Sequence, residues 1–138
     1  MIYSKTILDR FQNPRNAGKI PKASAVGEAN NASCGDKVKL FLKISDTGII
    51  EIAKFQAFGC SATIAASDIL CDLIKGKTID DSLKVSNYDF LKILGDLPAH
   101  KMHSIILAEE VIRVSIEDYY KRKERETRAQ MRKNNASI

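Results

Sequence analysis

Residues 38–58, VKLFLKISDTGIIEIAKFQAF, decide the fold. Val38, Leu40, Leu42 and Ile44 alternate with Lys39 and Lys43, so one face of the extended chain is apolar and the other charged, the pattern of a half-buried strand. Asp46-Thr47-Gly48 supplies turn residues. Residues 49–58 are rich enough in β-branched and aromatic side chains to return as the second strand of a hairpin. Gly59 then breaks the strand just before Cys60.

Working outward, Ile2, Ile7, Leu8 and Phe11 lie at helical spacing and predict a short helix with these four on one face, ended by Asn13-Pro14. Residues 15–33 show little periodicity and read as loop, with one edge strand around 25–29. After Cys60, Ile64, Ala65, Asp68, Ile69, Asp72 and Leu73 sort onto helical faces until Gly76, so Cys60 belongs at a helix N-terminus. Residues 78–84 read as a short helix opened by a Thr78…Asp81 cap, and 86–94 as another ended by Gly95. From Met102 onward, Ile105, Ala108, Val111, Ile112, Ser115, Ile116 and Tyr119 recur at threes and fours, predicting one long helix to about residue 123 or further. The fold class is α+β: a small antiparallel sheet of about three strands, helices on one face, and a long C-terminal helix.

At 138 residues the chain is one domain by length and can bury a core without disulfides or a structural metal. The formal charge of +5 is uneven. Residues 121–133 hold seven Lys/Arg against two Glu, whereas residues 1–120 are balanced. The division is therefore a domain over 1–122 and a basic helical extension or disordered tail over 123–138. Charges of mixed sign at helical spacing read as a solvated helix, with a docking surface for an acidic partner as the alternative. The segment has no aromatic residue to stack bases, which counts against nucleic-acid recognition. No apolar run approaches the roughly 18–20 residues of a membrane span. Three Cys, with no apolar signal segment in the first ten residues, fit a reducing cytoplasm.

Three short segments carry the chemistry: Ser33-Cys34-Gly35-Asp36 before a strand, Phe58-Gly59-Cys60-Ser61 after one, and Lys101-Met102-His103-Ser104 opening the long helix. Two thiols, an imidazole and a carboxylate make a metal site on paper. A hairpin returns Cys34 and Cys60 to the same sheet edge, and Gly35 and Gly59 let backbone approach a metal or cluster. Taken alone, Cys flanked by Gly also fits ordinary turn chemistry, and Asp36 fits a turn residue bonding its own backbone. Helix N-termini at Cys60 and at His103-Ser104 favour an anionic occupant, and Lys101 adds positive charge. Cys71 lies eleven residues past Cys60, about 16 Å along the helix, and reads as a small buried hydrophobe. His100 is a spare ligand or a loop residue.

Asn13-Pro14-Arg15-Asn16, Cys34-Gly35-Asp36, Gly59-Cys60 within 55–66, Ile74-Lys75-Gly76-Lys77 and Ile106-Leu107-Ala108-Glu109 occur in order over residues 3–122. In this set the chain resembles the iron–sulfur cluster assembly scaffolds of the IscU/NifU type. The resemblance implies cluster ligands at Cys34, Asp36, Cys60 and His103, with Asp36 keeping the nascent cluster labile. It implies a non-enzymatic scaffold that assembles a [2Fe–2S] cluster and passes it to apo-proteins, with a cysteine desulfurase as sulfur donor. There are two alternatives: a zinc-binding accessory or regulatory relative using the same ligands, and a sulfur-carrying transfer protein with Cys34 or Cys60 as the sulfur-carrying nucleophile. In the family the residue after the His is a third Cys that accepts persulfide sulfur; here it is Ser104, which cannot. The serine is either a divergence of this chain or a Cys-to-Ser replacement that freezes the site. Residues 97–101 stand where many scaffolds carry a Leu-Pro-Pro-Val-Lys segment read by a specialised Hsp70 chaperone. Only Leu97, Pro98 and Lys101 match, so that partner is not implied. Assembly into a homo-oligomer is left open.

Overall fold

A computed structural model describes residues 4–32, 35–95 and 101–136. The chain runs α1 (Lys5–Gln12), β1 (Ala25–Asn31), β2 (Asp36–Ile44), β3 (Ile50–Phe58), α2 (Ser61–Ile74), α3 (Ile79–Ser82), α4 (Asn87–Leu94) and α5 (His103–Ala136). The strands form one antiparallel sheet in the order β1-β2-β3. The hairpin of β2 and β3 sets Leu40 opposite Phe55 and Lys37 opposite Phe58, with Gly48 at φ +83° in its turn. The edge strand begins where expected, at Ala25, and extends to Asn31.

Val38, Leu40, Leu42 and Ile44 are buried beneath the helices, as the alternation requires. Against them pack Ile69, Leu70 and Ile74 of α2, Phe90 and Leu94 of α4, and Ile105, Val111 and Ile112 of α5. Each fully buried side chain of this kind is worth about 1.5–3 kcal/mol. The core thus holds the fold without help from a metal. Gly27 of β1 lies directly under Ser115 of α5, where a β-carbon would overlap the serine, so the strand and the helix touch backbone to backbone.

One expectation is corrected. In α1 the buried residues are Ile7 and Arg10, while Leu8 and Phe11 are 42% and 39% exposed. The cause is electrostatic: Arg10 faces α2, where Nη1 lies 2.6 Å from Asp68 Oδ2 and 2.6 Å from Asp72 Oδ2. Asn16 completes the junction by donating its N–H to Asp68 Oδ1 (2.8 Å) and its side-chain amide to Asp68 O (2.9 Å). Ile2 lies outside the described residues. The long helix α5 passes residue 123, as its expected range allowed, and continues to Ala136. Residues 123–135 are exposed, and spaced ion pairs such as Glu124–Arg128 (2.6 Å) brace this solvated part. No helix among the described residues is long and apolar enough to cross a membrane.

Candidate metal centre

Three elements end or begin at one corner of the sheet. Asp36 opens β2, Cys60 is the N-cap of α2 just after β3, and His103 is the first residue of α5. Because Lys37 pairs with Phe58, the antiparallel ladder carries Asp36 and Cys60 to the same end. α5 then crosses the sheet with its N-terminus over that end. His103 Nε2 lies 3.0 Å from Asp36 Oδ2, and Cys60 Sγ lies 3.8 Å from the same oxygen.

One ligand atom from each of Asp36, Cys60 and His103 falls within 4.8 Å of the others. Donors on a single tetrahedral zinc stand about 3.5 Å apart, so these three are already near the spacing one ion requires. The donor set of one sulfur, one nitrogen and one carboxylate oxygen suits zinc or iron. Asp36 is buried, Cys60 and His103 partly so, and the site opens to solvent on the cysteine and histidine side. Cys34 and His100 lie outside the described residues.

The side chain of Asp36 reaches across to α2. Its Oδ1 accepts the N–H of Cys60 (3.3 Å) and its Oδ2 accepts the hydroxyl of Thr63 (2.7 Å). The role of Gly59 also changes. Its φ of +149° and its position against Asp36 leave no room for a β-carbon, so the glycine admits the carboxylate and not directly a metal.

The environment of Cys60 divides against itself. Burial pushes the thiol up, and Asp36 adds to that. Hydrogen bonds from the hydroxyl and N–H of Thr63 and from Ser104 outweigh both, and the thiol sits below its ordinary range. Cys71 is the opposite case: it is buried on α2 among apolar side chains beside Asp68 and Asp72, and burial drives its thiol far up. It has no part in the centre, in line with its reading as a small hydrophobe.

Thr63 is the residue that spacing did not reveal. It is fully buried, and its Oγ1 lies 2.7 Å from Asp36 Oδ2, 2.9 Å from Ser104 Oγ and 3.5 Å from Cys60 Sγ. The available signal was its position three residues after an N-cap cysteine, which places it on the same helical side. Ser104, 1% exposed, packs against it, 3.8 Å from Cys60 Sγ.

Comparison with known proteins identifies the family. The family model described as NifU-like N terminal domain matches residues 2–126. A protein named iron-sulfur cluster assembly scaffold protein IscU 1 of Archaeoglobus fulgidus is 44% identical over 121 residues, covering 88% of this chain and 78% of its own. The protein named IscU of Escherichia coli K12 is 38% identical over 127 residues, covering 90% and 98%. Nitrogen fixation protein NifU of Azotobacter chroococcum is 41% identical over 118 residues, which is 85% of this chain and 38% of that longer protein. Among solved structures, a putative iron-sulfur cluster assembly scaffold for the SUF system from Fervidobacterium islandicum superposes with a TM-score of 0.69 at 24% identity, over 82% and 95% of the two chains. The N-terminal part of a NifU-like protein from Brucella abortus gives 0.67 at 22% identity, over 86% and 94%. These two likenesses speak for the fold. With the family model spanning residues 2–126, and these IscU relatives aligned over 88% and 90% of the chain, the chain belongs to the NifU-like N-terminal domain family, in a form with serine after its histidine.

Proposed function

We propose that this protein is a scaffold on which an iron–sulfur cluster of the [2Fe–2S] type is built and from which it is handed to apo-proteins. The single observation that carries the reading is the convergence of Asp36, Cys60 and His103, from three separate elements, to within 4.8 Å of one another. The names of the relatives point the same way. Cys34 is proposed as the fourth ligand, on its place in Cys34-Gly35-Asp36. The chain's residues hold and release the cargo, and no turnover chemistry of its own is assigned to it. A cysteine desulfurase is the proposed sulfur source, and the unit responsible is residues 1–122, with 123–138 an extension. Thiol ligands that must stay reduced suit a cytoplasmic setting.

Zinc on the same residues is the second reading, favoured by the mixed sulfur, nitrogen and oxygen donors. Anaerobic purification followed by measurement of iron, acid-labile sulfide and zinc, with the visible spectrum, separates the two. Iron and sulfide in equal amounts, with thiolate-to-iron absorption, support the scaffold. Zinc alone, with no cluster formed after iron and sulfide are supplied, overturns it.

A further inference from the structure

Ser104 and Thr63 form a buried pair of hydroxyls beside the centre, and their proton directions can be worked out. As a carboxylate, Asp36 can only accept, so the 2.7 Å contact requires Thr63 to donate to Oδ2. A hydroxyl has one proton. The 2.9 Å contact to Ser104 must therefore run the other way, with Ser104 donating to Thr63. Cys60 Sγ is the more distant neighbour of both hydroxyls, at 3.5 Å from Thr63 Oγ1 and 3.8 Å from Ser104 Oγ.

The commitment of Thr63 is unusual for a helical hydroxyl. Ser67 of α2 and Ser115 of α5 give their protons to the carbonyls four residues back, Thr63 O at 2.8 Å and Val111 O at 2.7 Å. Thr63 is the third residue of α2, and the residue four before it is Gly59, outside the helix. It has no such carbonyl, and its proton goes to the carboxylate. The oxygen it reaches is the one that faces both His103 Nε2 and Cys60 Sγ, while the other carboxylate oxygen is held by the Cys60 N–H. The Thr63 hydroxyl on Oδ2 and the Cys60 N–H on Oδ1 together restrain the carboxylate's rotation, with Oδ2 turned to the centre.

We propose that Thr63 is a positioning residue of the metal centre, and that Ser104 serves as the outer hydroxyl of a Ser104→Thr63→Asp36 relay and not as a ligand. This rests on the reading that Asp36, Cys60 and His103 hold a metal. Hydrogen-bond partners of ligating groups set their orientation and basicity, and removing one typically costs 10–100-fold in metal affinity.

The test is titration of the full-length apo-protein with Zn2+ and with Co2+, whose ligand-field absorption reports the donor set and whose charge-transfer absorption reports the thiolate. Thr63→Val keeps the volume and deletes the hydroxyl. It should weaken zinc binding about tenfold and change the cobalt ligand-field bands while the thiolate charge-transfer band remains. Thr63→Ser should restore both. Ser104→Ala should weaken zinc binding a few-fold in the parent protein and not at all in the Thr63→Val background, because the relay has already been cut. Parent-like zinc affinity in Thr63→Val, or failure of Thr63→Ser to restore it, overturns the proposal. So does an additive Ser104→Ala effect. Should Thr63→Val not fold, as judged by circular dichroism, the same criteria are applied to Thr63→Ser and Ser104→Ala, for which parent affinity in the first and a loss in the second are required. A parent protein that binds neither ion overturns the metal centre itself, an outcome distinct from those above.

Discussion

Gly59 and Asp36 are in such close contact that a β-carbon on the glycine would overlap the carboxylate oxygen Oδ1. Replacement by alanine has two costs, since φ at this position is +149° and the space is occupied. Gly59→Ala is expected to destabilise the fold by about 1–3 kcal/mol and to swing Asp36 out of the centre. Urea denaturation measures the first effect and zinc titration the second. Unchanged zinc affinity would show that Asp36 is not a ligand.

The limits of the centre are tested by three changes. Cys60→Ala should abolish metal binding. Cys71→Ala should leave it intact at a stability cost of about 1 kcal/mol, since only a small buried side chain is trimmed. Deletion of residues 123–138, exposed wherever described, should also leave it intact. Metal content after dialysis, with thermal melts for stability, distinguishes these outcomes, and loss of metal in Cys71→Ala would refute the site as drawn.

Much of this was legible in the sequence because it is periodic or punctuated. The hairpin follows from the alternation Val38 to Ile44 and the Asp46-Thr47-Gly48 turn, and α5 from seven apolar or small positions that are all buried. Asp36, Cys60 and His103 were legible as ligand types beside strand and helix ends. Features that depend on what lies across the interior were not. Asp68 looks like a surface residue of α2 until Arg10 and Asn16 arrive from 58 and 52 positions away. Thr63 is an ordinary helix residue until α5 brings Ser104 and β2 brings Asp36 against it. Arg10, Asp68 and Thr63 break the apolar pattern because each is satisfied by a distant partner, and no local period encodes that.

The Arg10–Asp68 pair is buried, with side chains 10% and 0% exposed. Burial by itself would lower the Arg10 pKa, but the two carboxylates reverse this and hold it above its ordinary value. Removing Arg10 leaves the buried Asp68 charge without its cation, so Arg10→Ala should cost about 3–5 kcal/mol. Replacing both residues by apolar ones of similar size should cost much less. Denaturant midpoints of the single and double variants check this, and equal costs would mean that packing, not charge, holds the junction.

Glu109 gives a pH signature. Partial burial where α5 meets the start of α4 raises its pKa, opposed by the N–H of Asn87. A carboxyl whose folded pKa lies above the unfolded value adds stability below the unfolded pKa and loses it as pH rises through the folded one. Glu109→Gln should therefore raise the melting temperature slightly at neutral pH, the gain being reduced by solvent screening, and the two proteins should converge on acidification. A gain that persists in acid would point to packing instead.

Ser104 decides how sulfur enters. If a desulfurase donates, a thiolate must attack the outer sulfur of its persulfide, forming a new S–S bond as the donor cysteine leaves as thiolate and the outer sulfur keeps its proton. Serine cannot do this. Cys60, with its lowered pKa, can. Persulfide sulfur should map to Cys60 or Cys34 by mass spectrometry, and enzymatic assembly should be markedly faster in Ser104→Cys, whereas assembly from free iron and sulfide should differ little. Equal enzymatic rates would show that position 104 is not the acceptor in this chain.

Asp36 lies 24 positions before Cys60 and 67 before His103. An occupant gripping all three is therefore a reversible cross-link between a strand end and two helix starts, closing loops that the bare polypeptide closes only by folding. Loading raises the free energy of opening at that corner by mass action, and delivery withdraws it while the remote core of β2, α2 and α5 is untouched. Amide exchange at the start of β2 and in the first turn of α5 is thus a gauge of whether the molecule is carrying or has just given up its cargo.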